Sequence, residues 1–282
     1  MVDHDQLLRF GRALSRAAGW IYTLLWSLSF YPQPILNWQR RSTQGFTIDF
    51  PTLNVLGFFC YSTSTCFFLY SSTIRQQYAA RHPLAPEPTV RFNDAAFGIH
   101  AVIIVLLTYS QFFPALWGFK GSDRARTSRP VLGIFWGSVI AIIAVSGLVY
   151  FGSAAHSEGP QDWEWIDVLY TLGYVKLLST FVKYIPQVWM NYRRQSTQGW
   201  SIAGILFDIT GGVLSLLQLV IDASFQGDWS GITGNPLKLG LANISIAFDL
   251  IFIAQHYILY RDKPDDSMKE TEDDAERPLL GH

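Results

Sequence analysis

Six ionisable side chains, Asp94, His100, Lys176, Lys183, Asp208 and Asp249, stand in stretches that are otherwise apolar. A charge at the centre of a bilayer costs on the order of 2.5–3.5 kcal/mol on insertion scales, so such groups normally face a protein interior and are used. Lys176 and Lys183 lie seven residues apart, on one face of a helix. Two ammonium groups placed so can hold a ligand that bears carboxylates; the alternative for Lys183, beside Tyr184, is to snorkel to the membrane surface. Asp208, in GILFDITGGVLSLLQ, is followed one turn on by Gly211 and Gly212, which let a neighbouring helix or a ligand approach closely. Asp249, in SIAFDLIFIAQH, has only Ser245 as a polar neighbour one turn back and reads as a proton-carrying or gating carboxylate. Asp94 opens its apolar stretch, where a capping role is as natural as a functional one. His100, two turns deeper, fits a core histidine or a proton relay equally. Carboxylates withdrawn from water can titrate near physiological pH, which suits proton coupling.

The elements that must carry these groups are membrane helices. The 282 residues are 49% hydrophobic, 15% aromatic and only 15% charged, against about 25% charged in a soluble chain. A net charge of −1 without a basic tract gives no case for nucleic acid. Seven stretches of about 20 mostly apolar residues can cross a bilayer core of roughly 30 Å: 17–36, 50–72, 94–113, 131–151, 165–187, 201–222 and 238–260. The expected fold is therefore all-α and polytopic. Cys60 and Cys66 fall on different faces of the second stretch and read as small buried residues. No metal-ligand spacing, nucleophile with a positioned base or phosphate-cradling glycine loop suggests an enzyme or a cofactor.

The chain repeats itself. YPQPILNWQRRSTQGF from Tyr31 and IPQVWMNYRRQSTQGW from Ile185 align at a shift of 154 positions. The shift pairs Pro32 and Gln33 with Pro186 and Gln187, Asn37 with Asn191, and Asn54 with Asp208. Such a run marks an internal repeat. Basic residues flank both copies, and the loops on that side together with the tail hold twelve Lys/Arg against six opposite. The repeats and the C-terminus are then cytosolic, and Glu158, Asp162 and Glu164 face the lumen or exterior. Two like-oriented three-helix bundles, 19–113 and 165–260, follow, separated by 114–164 with the fourth helix as linker. A short luminal arm, 1–18, precedes them and an acidic tail, 261–282, follows. Proline within an apolar helix removes a backbone hydrogen bond, so Pro32 and Pro186, each followed by Gln, are expected to form paired hinges. Parallel repeats around a mid-membrane site are a transporter arrangement. Trp26 lies mid-helix and either packs or lines a pathway.

These doubled blocks, with the stretches KLLSTFVKYIPQVWMNYRRQSTQGWSIAGILFDITGGVLSLLQ and FDLIFIAQHYILYR, resemble the cystinosin family of PQ-loop membrane carriers over roughly residues 19–262. The resemblance implies seven helices and alternating access, with proton-coupled export of cystine from the lumen of a lysosome or vacuole. It implies a cystine site around Asn54, Lys176, Lys183, Tyr184, Asn191 and Asp208 with Trp26 nearby, and proton movement at Asp208, then Asp249, then Asp94. Where the family has Asn four residues before Asp208, this chain has Gly204. Leu279 and Leu280 after Glu276 look like an acidic dileucine signal for a sorting adaptor, or belong to a plain acidic tail. The rival readings are a PQ-loop carrier of a cationic amino acid or sugar, and a seven-helix receptor that does not translocate. The partners expected are cystine, protons and membrane lipid.

Overall fold

A computed structural model describes residues 4–83, 86–88, 90, 92–119, 126–154, 163–226 and 236–261. Glu158, Asp162, Leu279 and Leu280, and with them the sorting signal, lie outside the described residues. The elements are α1 (His4–Ser29), α2 (Pro32–Arg40), α3 (Asp49–Tyr70), α4 (Ser72–Arg81), α5 (Phe92–Ser110), α6 (Pro114–Trp117), α7 (Arg129–Ala154), α8 (Trp165–Arg194), α9 (Ile202–Gln226) and α10 (Pro236–Ala254). A π-helical turn, Gln255–Leu259, continues α10. Helix is what a bilayer demands, because every backbone N–H and C=O must be satisfied without water.

Among the described residues, five helices are long and apolar enough to cross a membrane: α3, α5, α7, α8 and the stretch Ala242–Leu259. A shorter apolar stretch, Ile202–Gln218, lies in α9. The chain is a multi-pass membrane protein, with five of the seven expected spans meeting that measure. The first expected span, 17–36, is not one helix: the chain breaks at Phe30–Tyr31 between α1 and α2. Pro186, by contrast, sits inside an unbroken α8. The two expected hinges thus differ in this structure, with a break at one proline and a continuous helix through the other.

Packing follows the repeat. α1 lies mainly against α9 and α3 against α8, contacts that exchange under the repeat shift, while α5 packs on α3 as α10 packs on α9. α7 stands at the margin against α8 and α3, with Trp136, Ile140 and Ile143 on an outward face suited to lipid. Away from the repeated blocks, α4 is tied to the start of α8. The Arg81 guanidinium donates to both carboxylate oxygens of Asp167, at 2.8 Å for Nη2–Oδ2, and lies 3.2 Å from Glu164. Asp167 also accepts the Glu164 N–H, and the Gln77 side chain accepts the Ile166 N–H. The pair is a third exposed on the Arg81 side, so Arg81→Gln is expected to cost only about 0.5–1 kcal/mol. Thermal unfolding of the purified protein should then shift down by about 1–4 °C.

Candidate functional site

A cavity of about 830 Å³ lies between the repeats. Its floor is a pair of repeat mates, Phe46 and Trp200, whose rings meet at 5.6 Å, with Phe50 against Trp200 at 5.0 Å. It extends from there to Arg81 and His82 at the opposite end.

One wall is charged. Lys176 and Lys183 on α8 are 5% and 7% exposed and both line the cavity. Their ammonium groups rest on aromatic faces: Lys176 Nζ is 3.4 Å from the Phe58 ring centre, and Lys183 Nζ is 4.5 Å from Tyr184 and 5.0 Å from Phe50. Snorkelling is therefore excluded for Lys183 in this structure. Among the described residues neither lysine has a carboxylate within 4.0 Å. Cation–π contact is worth about 2 kcal/mol when desolvated, less than a buried ammonium loses on leaving water. Asp208 on α9 stands nearby, its Oδ2 accepting from Ser245 Oγ at 2.6 Å and from the Tyr184 hydroxyl at 3.1 Å. Trp26 Nε1 donates to the Asp208 carbonyl at 3.2 Å. That approach depends on Gly211, where an added Cβ would fall 2.6 Å from the Trp26 ring.

The other wall is aromatic. Tyr22, Trp26, Phe30, Phe58, Tyr61 and Phe97 form linked ring pairs with centres 5.1–6.4 Å apart. Asn54 also faces the cavity, and its Oδ1 is buried without a partner. Asp94 and Gly204 line it too. Asp249 does not: it is 0% exposed, and neither carboxylate oxygen accepts a hydrogen bond. Asp208 and Lys183 are within its electrostatic reach. His100 is likewise outside the lining and pairs with Tyr31.

Beneath the floor the repeated blocks lock together. Gln33 Nε2 donates to Asn37 Oδ1 and to the Gly199 carbonyl, both at 2.9 Å, while its Oε1 accepts from Ser201 N at 2.8 Å. Gln187 does the same in reverse, to Asn191 Oδ1 at 2.9 Å and the Gly45 carbonyl at 3.0 Å, accepting from Thr47 N at 3.0 Å. Each asparagine passes the chain on: Asn37 Nδ2 donates to Gln111 and Asn191 Nδ2 to Gln255, at 2.9 and 3.0 Å. Gln111 and Gln255 then donate to the carbonyls of Pro34 and Val188. Fully paired buried amides of this kind fix a single arrangement.

The structure thus gathers Trp26, Asn54, Lys176, Lys183, Tyr184 and Asp208 around one cavity. Asn191 is corrected: 0% exposed, it belongs to the clasp and not to the lining. Gln33 and Gln187, named with their prolines as hinge residues, crosslink the two repeats in this structure. Sequence reasoning missed Gln111 and Gln255, because single glutamines at helix ends are unremarkable. It also missed Phe46 and Trp200, whose alignment in the repeat was the available signal.

Two helical repeats, locked at one end by reciprocal Pro-Gln blocks around an intramembrane cavity with one charged and one aromatic wall, define a PQ-loop membrane protein. The PQ loop repeat family matches residues 14–74 and 168–228, offset by the same 154 positions as the repeated blocks. The chain is 40% identical over 273 residues to cystinosin of Drosophila melanogaster, covering 94% of this chain and 65% of that protein. It is 40% identical to a cystinosin homolog of Dictyostelium discoideum, covering 88% and 82%. A cystine transporter of Saccharomyces cerevisiae is 29% identical, covering 92% and 98%. The chain belongs to the cystinosin family.

Proposed function

We propose that this chain carries cystine out of a lysosome or vacuole into the cytosol together with a proton, by alternating access. The observation that carries the reading is the pair of buried lysine ammonium groups, both facing one cavity and neither matched by a carboxylate. A ligand with two carboxylates supplies what they lack, and recovers part of the cost of burying them. Cystine has two carboxylates, two ammonium groups and a disulfide. Asp208 and Asn54 suit an ammonium group, and the aromatic wall from Tyr22 to Phe97 suits the sulfurs, at about 0.3–1.5 kcal/mol per contact. A cationic amino acid, with its single carboxylate, answers only one of the two lysines, and a sugar answers neither.

The excess of basic residues at the clasp end supports a cytosolic position for that end, with the clasp closing the cytosolic side and the cavity facing the lumen. Helices α1, α3 and α5 act as one bundle and α8, α9 and α10 as the other, with α7 as linker. Asp208 is the first choice for the coupled proton, Asp249 the second and Asp94 the third. A difference of ~2 pH units contributes roughly 2.7 kcal/mol per proton, or about a hundredfold concentration ratio. Purified protein in liposomes is expected to take up labelled cystine when the side bearing the α4 end is acidified, and to exchange it against unlabelled cystine. Ligand-dependent thermal stabilisation without any exchange would turn the reading towards a receptor.

A further inference from the structure

The clasp is symmetric, but the helices that enter it are not. α1 stops at Ser29 and α2 starts at Pro32, whereas α8 runs through Pro186 without a break. The cause lies two residues further on. In a helix the N–H groups of residues 32 and 34 donate to the carbonyls of Leu28 and Phe30; Pro32 and Pro34 both lack the donor, and both rings crowd the preceding turn. In the second repeat Pro186 removes one donor, and Val188, the mate of Pro34, keeps the next. The chain patches the gap locally, with Tyr31 N donating to Leu28 O at 3.2 Å and Ile35 N to Tyr31 O at 3.1 Å.

At this break the side chains part. Phe30 turns into the cavity and meets Phe58 edge to face, the ring centres 5.1 Å apart. Tyr31 turns away from it, and its hydroxyl meets Nε2 of His100 on α5 at 2.8 Å, the rings 5.6 Å apart. The His100 ring also touches Phe30, at 6.5 Å between centres. Its Nδ1 is buried without a partner, which makes the Tyr31 hydroxyl the polar tie of the ring. The second repeat has no such tie. Ile185 takes the place of Tyr31 and is 44% exposed. Ile244 stands eleven residues before Gln255, as His100 stands eleven before Gln111.

We propose that flexing is one-sided: the bend is concentrated at Phe30–Tyr31, α8 serves as a strut, and His100 with Tyr31 are positioning residues that set the angle between α1 and α2. The consequence for turnover rests on the cystine-carrier reading; the location of the bend does not. Hydrogen–deuterium exchange on the whole protein in detergent tests the bend. Amides of residues 28–35 are expected to exchange about tenfold faster than those of 182–189. His100→Ala should speed the first segment several-fold and leave the second unchanged, His100→Gln should restore it, and Pro34→Val should slow it towards the rate in α8. Tyr31→Phe should match His100→Ala, and the double variant should add nothing. In liposomes His100→Ala should lower the maximal rate about fivefold with KM within about twofold. Equal exchange of the two segments in the natural protein, or no response of residues 28–35 to His100→Ala and Tyr31→Phe, overturns the proposal. Absence of cystine uptake by the natural protein would overturn the carrier reading and leave the exchange result to decide the bend.

Discussion

Asp208→Asn is expected to abolish acid-driven accumulation of cystine. The substitution keeps the shape of the side chain and lets an amide oxygen accept from Ser245 and Tyr184 as the carboxylate does, at 2.6 and 3.1 Å in the natural protein. What it removes is the charge and the capacity to bind a proton, within electrostatic reach of both Lys176 and Lys183. If this is the coupled site, the accumulation ratio across a two-unit pH difference should fall from about a hundredfold to about one, the whole of a 2.7 kcal/mol driving force. Asp249→Asn is expected to act next most strongly, because Asp249 is fully buried within electrostatic reach of both Asp208 and Lys183. Asp94→Asn should act least. The measurement is uptake of labelled cystine into liposomes with and without a pH difference. Unchanged accumulation and unchanged current in Asp208→Asn would remove this residue from the mechanism.

How much of this was legible in the sequence depends on which physical signal each part leaves. Bilayer-length apolar runs are written into composition, so the helical class and the positions of α3, α5 and α7 were accessible. The repeat was legible because both copies must form the same hydrogen bonds, and identical geometry keeps identical residues: Gln33 and Gln187 make matching contacts to within 0.2 Å. The charged cavity residues were legible by another signal, ionisable groups in apolar stretches, and they fall where the two copies differ. Asn54 faces Asp208, Tyr22 faces Lys176 and Ser29 faces Lys183 across the shift, so a symmetric scaffold carries an asymmetric site. Two things escaped. Whether a proline breaks a helix depends on neighbouring donors, and the difference between Pro34 and Val188 decided it. Whether an amide lines a cavity or crosses to another helix depends on partners far along the chain, and so Asn191 was placed with the ligand site when its partner is Gln255.

Gly45→Ala and Gly199→Ala are expected to disable closure at the clasp and to do so equally. Both glycines sit in the left-handed region, at φ 89° and 90°, where a side chain strains the backbone by about 1–3 kcal/mol. Both also sit under the opposing loop: a Cβ on Gly45 would fall 1.9 Å from the Gln198 carbonyl, and one on Gly199 2.1 Å from that of Gln44. Backbone cannot swing aside as a flexible side chain can, and the same loops carry the carbonyls that Gln33 and Gln187 grip. Arg40 and Arg194 brace them by donating to the Gln44 and Gln198 carbonyls at 3.0 Å. Overlap of this kind adds about 1–3 kcal/mol, so the closed end should lose more than tenfold in population at about 1.4 kcal/mol per decade. Gly118→Ala separates the two terms, since its φ is 65° but nothing lies within 4 Å of an added Cβ. That variant should show the backbone cost alone. The expected result is loss of cystine transport in both clasp variants with helical content retained, together with faster hydrogen exchange in residues 42–48 and 196–202. Gly118→Ala should keep transport near the natural level. Normal transport in Gly199→Ala would mean that the reciprocal Gly-to-carbonyl approach is not what closes this end.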